Sequence, residues 1–395
     1  MALAVSACDM PLRSMNQMGH NDFLVLDSHL DTPLVLDRAG FDITRRHDWQ
    51  KDYAQVDLPR MQEGGLDGGF WVIYTAQGAL TERGYAKALA HARHRNQVID
   101  EMLRGHGPDF EFASRAEDAP RIAATGKRIV YKSIENAYPL GENIDLLDEF
   151  YAAGVRMVGL VHSKNNQFAD SATDLKGQKW GGLSPLGRQL IRRANRLGMI
   201  VDMSHAHDDA LAQAIELSAT PIILSHSGAA FLHKHPRNVP DDLLKKLARS
   251  GGVIQINSLS AYLRESRADP NRLPEFLAIY RKYQNAPGGM RENHKAFVAE
   301  RRALDKKYPP DYAEFSDVMA HIFHTLELMG ADHVGIGLDW DGGGGVNGLQ
   351  DVSDLPRITE ALRDKSISSE TIGKIWSGNM LRLLRQAEET RDMGK

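Results

Sequence analysis

Eight short apolar runs, rich in β-branched and aromatic residues, recur along the chain with helical patterns between them, and they restrict the fold more than any other feature. They occupy residues 23–27, 70–75, 129–134, 155–161, 199–204, 221–225, 252–257 and 333–338. A run with little alternation suits a strand buried on both faces, as in a parallel sheet covered by helices. The segments 85–103, 185–197, 210–218 and 241–249 carry apolar residues at helical spacing, several behind a Ser or Asp cap. Eight alternations predict an α/β fold, a (β/α)8 TIM-like barrel, with a doubly wound open sheet as the competing architecture.

Two stretches exceed a minimal barrel: 37–60 after the first run and 258–310 after the seventh. The second is long, charged and helical in pattern, and reads as a helical insertion over one rim. The expected organisation of the 395 residues is an N-terminal extension (1–22) and one barrel domain (23–395) interrupted at about 258–310. No segment approaches the ~18 consecutive apolar residues of a membrane span. The net charge of -4 arises from interleaved acids and bases without a basic stripe, which argues against nucleic acid and for a small-molecule partner. Cys8 is the only cysteine, so any metal must be held by His and carboxylate. The start, LAVSAC, looks like the end of a bacterial lipoprotein signal without its apolar region, and leaves the compartment open between cytoplasm and periplasm.

A (β/α)8 barrel builds its site at the C-terminal ends of several strands. That position holds His29 and Asp31 after the first run, in VLDSHLDTP, then Glu135 after the third and His162 after the fourth. His205 follows the fifth, His226 the sixth and Asp339 the eighth. Singly each has a plainer explanation: His205 as a helix-start residue, Glu135 as a favourable charge at a helix N-terminus, His29 as a partner of a neighbouring Asp. Jointly, four histidines and three carboxylates at one end of six strands are not what strand-end loops ordinarily supply. His29 and Asp31, at i and i+2 of an extended segment, point the same way and can close on one cation. Five ligands exceed one tetrahedral zinc but suit two metals sharing a carboxylate, for which Glu135 is the natural bridge. Two cations about 3.5 to 4 Å apart acidify a water towards pKa ~7, which is hydrolytic chemistry. Nine other histidines, at positions 20, 47, 91, 94, 106, 207, 294, 321 and 324, are expected at the surface or at caps.

The blocks LDSHLDTP, YKSIENA, GLVHSKNNQFAD, GMIVDMSHAH, PIILSHSGA with HKHPRNVPDDLL, and HVGIGLDWDGGGGV stand in order between residues 26 and 349. In these blocks the chain resembles the membrane (renal) dipeptidase family of dizinc peptidases, within the amidohydrolase-like barrels. The resemblance implies a zinc-dependent dipeptidase acting on L-Xaa-L/D-Xaa dipeptides. It also implies two Zn2+ ions bridged by Glu135 and a hydroxide, one held by His29, Asp31 and Glu135, the other by Glu135, His205 and His226. His162 would contact the substrate and stabilise the oxyanion, Asp339 would take the hydroxide proton and return it to the leaving amine, and Arg237, in HPRN, would bind the free α-carboxylate. Many related barrels bridge their metals with a carboxylated lysine, and Lys132 is nearby, but Glu135 occupies the bridging place in the motif. INSLSAYLRES departs from an Asn-aromatic-aromatic run, with Tyr262 as the candidate substrate-contacting tyrosine. The glycines 342–345 are either a hinge for a covering loop or a wide turn. A homo-oligomer is compatible with this reading. Two rivals remain: another amide, lactam or lactone hydrolase of the superfamily, and a metal-loaded homologue that binds peptides without turnover.

Overall fold

A computed structural model describes residues 18–393, so Cys8 and the signal-like start lie outside the described residues. Ten strands occur in chain order: β1 (Leu26–Leu30), β2 (Gly68–Tyr74), β3 (Phe110–Phe112), β4 (Arg128–Glu135) and β5 (Val155–Gly159), then β6 (Ile200–Asp202), β7 (Ile223–Ala229), β8 (Asn238–Val239), β9 (Val253–Ile256) and β10 (Val334–Ile336). Eight of them follow one another around a parallel sheet in the order β1-β2-β4-β5-β6-β7-β9-β10. Because the order never reverses, there is no switch point and the doubly wound alternative fails. The path returns on itself at Leu30–Trp340, a parallel bridge where Asp31 N–H donates to Trp340 O at 2.9 Å. The carboxylate of Asp27, fully buried at this seam, accepts the N–H groups of Leu338 (3.1 Å) and His29 (2.8 Å). The architecture is a nearly closed TIM-like barrel.

Inside its lower half lies an apolar layer with Leu26, Phe70, Tyr131, Met157, Ile200, Ile223 and Val253, one or more from each of seven strands, capped by Met380, Leu383 and Leu384. These last three belong to the C-terminal helix Asn379–Met393. A larger core fills the space between the strands and the outer helices, which include Glu82–Gly105, Pro185–Leu197, Asp208–Leu217 and Asp241–Arg249. Their starts follow local chemistry. Ser184 Oγ accepts the Gly187 N–H at 3.0 Å, and Thr81 caps Gly84 in the same way at 3.2 Å.

Two strands differ from the apolar runs in a way that matters for the site. β1 spans Leu26–Leu30 instead of 23–27, and β7 spans Ile223–Ala229 instead of 221–225, so His29 and His226 stand within strands. Apolarity stops before the ladder does, because the upper strand residues face a polar site. β3, paired with β4 outside the barrel, and β8, paired with β7, are too short to leave a sequence pattern.

Between β9 and β10 lie the helices Ser260–Leu263, Arg272–Gln284, Gly289–Lys307 and Phe315–Met329. The middle two meet the stretch that follows β1: Ala39 N–H donates to Arg291 O (3.1 Å), Tyr53 Oη donates to Asp305 (2.5 Å), and the Arg301 guanidinium lies 3.6 Å from the Tyr53 ring centre. The two segments in excess of a minimal barrel thus pack on each other. Among the described residues no helix is long and apolar enough to cross a membrane.

Candidate metal centre

All seven strand-end positions come together at the C-terminal mouth of the barrel. Glu135, the last residue of β4, is the hub. Its Oε1 is 2.9 Å from His205 Nε2, 3.5 Å from His226 Nε2 and 3.7 Å from His162 Nε2, while Oε2 is 3.6 Å from His29 Nε2. His29 Nε2 is also 3.7 Å from Asp31 Oδ2. Three overlapping sets of potential ligands result: His29, Glu135 and His226; Glu135, His162 and His205; His29, Asp31 and Asp339. In each set the ligand atoms lie within 4.8 Å of one another.

Strand irregularities aim two of these side chains. Leu26 and Ile223 face the barrel interior, so in unbroken strands His29 and His226, three residues on, would point outward. The register shifts between Asp27 and Leu30 on β1 and between Leu224 and Ser227 on β7, and both histidines turn inward there. Their rings then lie with centres 3.8 Å apart, tilted by 38° to each other. Lys132, three residues before Glu135 on β4, whose pairing with β2 runs without a break between them, faces the other way. Its ammonium donates to Asn96 Oδ1 (2.9 Å), Asp100 Oδ1 (2.5 Å) and Ala153 O (3.0 Å), outside the barrel.

A hydroxyl behind the rings sets their orientation. Ser225 Oγ donates to the buried Asp202 Oδ2 at 2.6 Å. Its single hydrogen is thereby used, so it accepts from His226 Nδ1 at 2.8 Å and lies 3.4 Å from His29 Nδ1. Nδ1–H on His226 leaves Nε2 with a lone pair directed at the cluster.

Burial and neighbouring charges shift the ionisable groups of the site in different directions. Burial opposes charge on His29, yet Glu135 and Asp31 beside it hold its imidazole well above the usual range. Burial and the nearby Arg237 charge push His205 far down, and burial with the neighbouring His29 and His205 does the same to His226. Burial is also what raises Asp339, helped by the negative charges of Asp31 and Glu135. His29 Nε2 and Asp31 Oδ1 are buried with no hydrogen-bond partner. An orphaned buried polar atom costs about 1–3 kcal/mol. An oxygen-and-imidazole donor set with free lone pairs fits a divalent cation of the zinc type.

Around the cluster, His162 is the most open residue; its ring lies 4.9 Å from Tyr74 and 4.1 Å from His205, and burial keeps its imidazole below the usual value. Arg237 is buried. Its Nη1 donates to Ser204 O and its Nη2 to His226 O (3.0 Å), the Tyr262 ring centre is 5.2 Å away, and Nε has no partner. Of the nine other histidines, His207 caps Asp208–Leu217 as expected, but His321 is buried, its Nδ1 accepting the Ala229 N–H at 3.0 Å. Its place on the core face of Phe315–Met329 is the reason. Sequence reasoning missed Asp202 and Ser225; their adjacency to His205 and His226 in VDMSH and LSHS is the only local signal.

A sequence profile of the membrane dipeptidase family (peptidase family M19) matches residues 14–394. Dipeptidase tcpJ of Claviceps purpurea is 31% identical over 381 residues, spanning 94% of this chain and 77% of its own length. The crystal structure of the probable dipeptidase PvdM from Pseudomonas aeruginosa is 30% identical and aligns with a TM-score of 0.79 over 94% of this chain and 97% of that one. Dipeptidase AC, a metallopeptidase of family M19, aligns at 25% identity with a TM-score of 0.73 over 92% of this chain and 98% of its own.

Proposed function

The chain belongs to the membrane dipeptidase family, peptidase family M19, a family of metallopeptidases, and on that footing we propose that it is a two-zinc dipeptidase cleaving L-Xaa-Xaa dipeptides with an L- or D-residue at the C-terminal position. The observation that carries the reading is the convergence of five ligand side chains from four strands on one buried point beside Arg237. His29, Asp31 and Glu135 would hold one cation, and Glu135, His205 and His226 the other. The pair supplies Lewis acidity and a water acidic enough to be a nucleophile at neutral pH.

The protein's own groups do the rest. Arg237, whose Nη1 and Nη2 each donate to one backbone carbonyl and whose Nε has no partner, binds the free carboxylate of the dipeptide through its remaining N–H groups. A third residue would occupy that carboxylate pocket, which limits the substrate to two. His162, kept neutral by burial, donates Nε2–H to the carbonyl oxygen as negative charge develops there. Asp339, as the carboxylate, takes a proton from the attacking water; burial raises its affinity for that proton, so it holds it until delivery to the leaving amine.

The test is a dipeptide library, including L,D pairs and carboxyl-amidated members, assayed for amino-acid release with the zinc-loaded protein. Release from free dipeptides and loss of activity on amidated ones is expected. Turnover confined to lactams, lactones or blocked amides would replace the dipeptidase reading, and tight dipeptide binding without release would replace the enzymatic one.

A further inference from the structure

The stretch after β1 carries a buried glutamine whose side chain makes three hydrogen bonds, all to the loop after β10. Gln55 Nε2 donates to Gly344 O and Gln350 O, both at 2.8 Å, and Oε1 accepts the Asp341 N–H at 2.7 Å. The Gln55 backbone N–H donates to Asp341 Oδ1 at 2.7 Å, and Asp341 Oδ2 accepts Thr32 Oγ–H at 2.9 Å. On the other side Ser258 Oγ donates to Leu338 O (2.6 Å) and accepts the Gly345 N–H (2.8 Å). Between these fastenings Asp339 and Asp341 adopt left-handed backbone, with φ of 63° and 65°, and the Asp339 carbonyl accepts the N–H groups of Gly342, Gly343 and Gly344 at 3.2, 3.2 and 2.9 Å. The turn so formed presses Gly342 against the carboxylates of Asp31 and Asp339, leaving no room for a Cβ. The glycine run is a fastened turn, not a hinge.

We propose that Gln55 is a positioning residue that locks the 341–345 turn against β10 and thereby holds the Asp339 carboxylate at the metal cluster. This gives the 37–60 stretch a task, and it rests on the reading of Asp339 as the proton-transfer group. Gln55 touches neither cluster nor substrate; it acts through the turn.

The near-isosteric Gln55→Met keeps the volume and removes the three side-chain bonds. It is compared with wild type, Asp339→Asn and the double variant as zinc-loaded full-length protein, by steady-state kinetics on a hydrolysed dipeptide and by bound zinc per chain. Expected is a fall in kcat of at least about fivefold with KM within about threefold, full zinc content, and less than about a twofold further loss when the change is added to Asp339→Asn. A smaller fall, a loss carried by KM, a loss that tracks missing zinc, or an undiminished effect in the Asp339→Asn background overturns the proposal. If Gln55→Met does not fold, Ser258→Ala, which opens the opposite fastening, is judged by the same criteria. Wild-type turnover by Asp339→Asn would remove the reading of Asp339 itself, a result distinct from an inert Gln55.

Discussion

Ser225→Ala should weaken metal binding by about 10–100-fold while leaving every direct ligand in place. The hydroxyl donates to Asp202 at 2.6 Å and receives His226 Nδ1 at 2.8 Å. Without it, the Nδ1–H of a buried imidazole loses its acceptor, a cost of about 1–3 kcal/mol, equivalent to roughly 5–150-fold in an equilibrium constant. The ring can escape that cost only by moving its proton to Nε2, which removes the lone pair facing Glu135. Metal binding must then reverse that tautomer, and the work of doing so is what lowers the affinity. His29, whose Nδ1 is 3.4 Å from the same hydroxyl, adds to the loss. The assay is competition between metal-free protein and a chromophoric chelator for zinc at fixed neutral pH, with Asp202→Asn as a second cut in the same relay. Affinities within about twofold of wild type for both variants would refute the idea that this relay sets the tautomer.

Other consequences are equally direct. Gly342→Ala places a Cβ where Asp31 Oδ2 and Asp339 Oδ1 now lie; a displacement of about 1 Å should cost on the order of 100-fold in kcat, with stability lowered by about 1–3 kcal/mol, and unchanged turnover would mean both carboxylates swing aside freely. Arg237→Met should raise KM for free dipeptides far more than for carboxyl-amidated ones, and equal losses on both would count against carboxylate recognition. His321 offers a pH test, because burial pushes its imidazole down to about 4. Between that value and the unfolded value near 6.5 the unfolded chain binds a proton that the folded one refuses, so this residue's stabilisation is present at higher pH and lost as pH falls from about 6.5 to 4, by about 3 kcal/mol in all. His321→Gln should therefore flatten Tm against pH over this window, and parallel curves would refute the assignment.

The barrel was legible because strands buried on both faces must be apolar for most of their length, and the site because barrel topology fixes which end of each strand carries function. His29, Asp31, Glu135, His162, His205, His226 and Asp339 follow from position before any side-chain chemistry is weighed. Strand limits were less legible at β1 and β7, since the residues that complete those strands are the polar ones of the site itself. The inward turn of His29 and His226 depends on register shifts, which leave no mark in residue spacing. Asp202 and Ser225 sit on neighbouring strands that share the single paired position Asp202–Ile223, so their contact needs the three-dimensional register. Gln55 lies in a stretch without periodicity, where nothing separates a buried glutamine from an exposed one. The opposite facing of Lys132 and Glu135, by contrast, follows from their odd separation along one strand.

The seam of the barrel and its chemistry occupy the same place, for one physical reason. β1 and β10 are joined by the Leu30–Trp340 bridge instead of a continuous ladder. A continued ladder would keep the two chains parallel past His29 and leave no opening in which Asp31 and Asp339 could converge. Side chains replace the missing backbone bonds: Asp27 accepts the Leu338 N–H and Thr32 donates to Asp341. Burial raises Asp31 and Asp339 above their ordinary pKa range, and repulsion adds to it, from Glu135 on Asp31 and from Asp31 and Glu135 on Asp339. Cation binding offsets that repulsion, so the residues that close the barrel also set the separation between the first-strand ligands and the eighth-strand carboxylate. A substitution at Asp27 or Thr32 then reaches the reaction through the geometry of the seam, without touching metal or substrate.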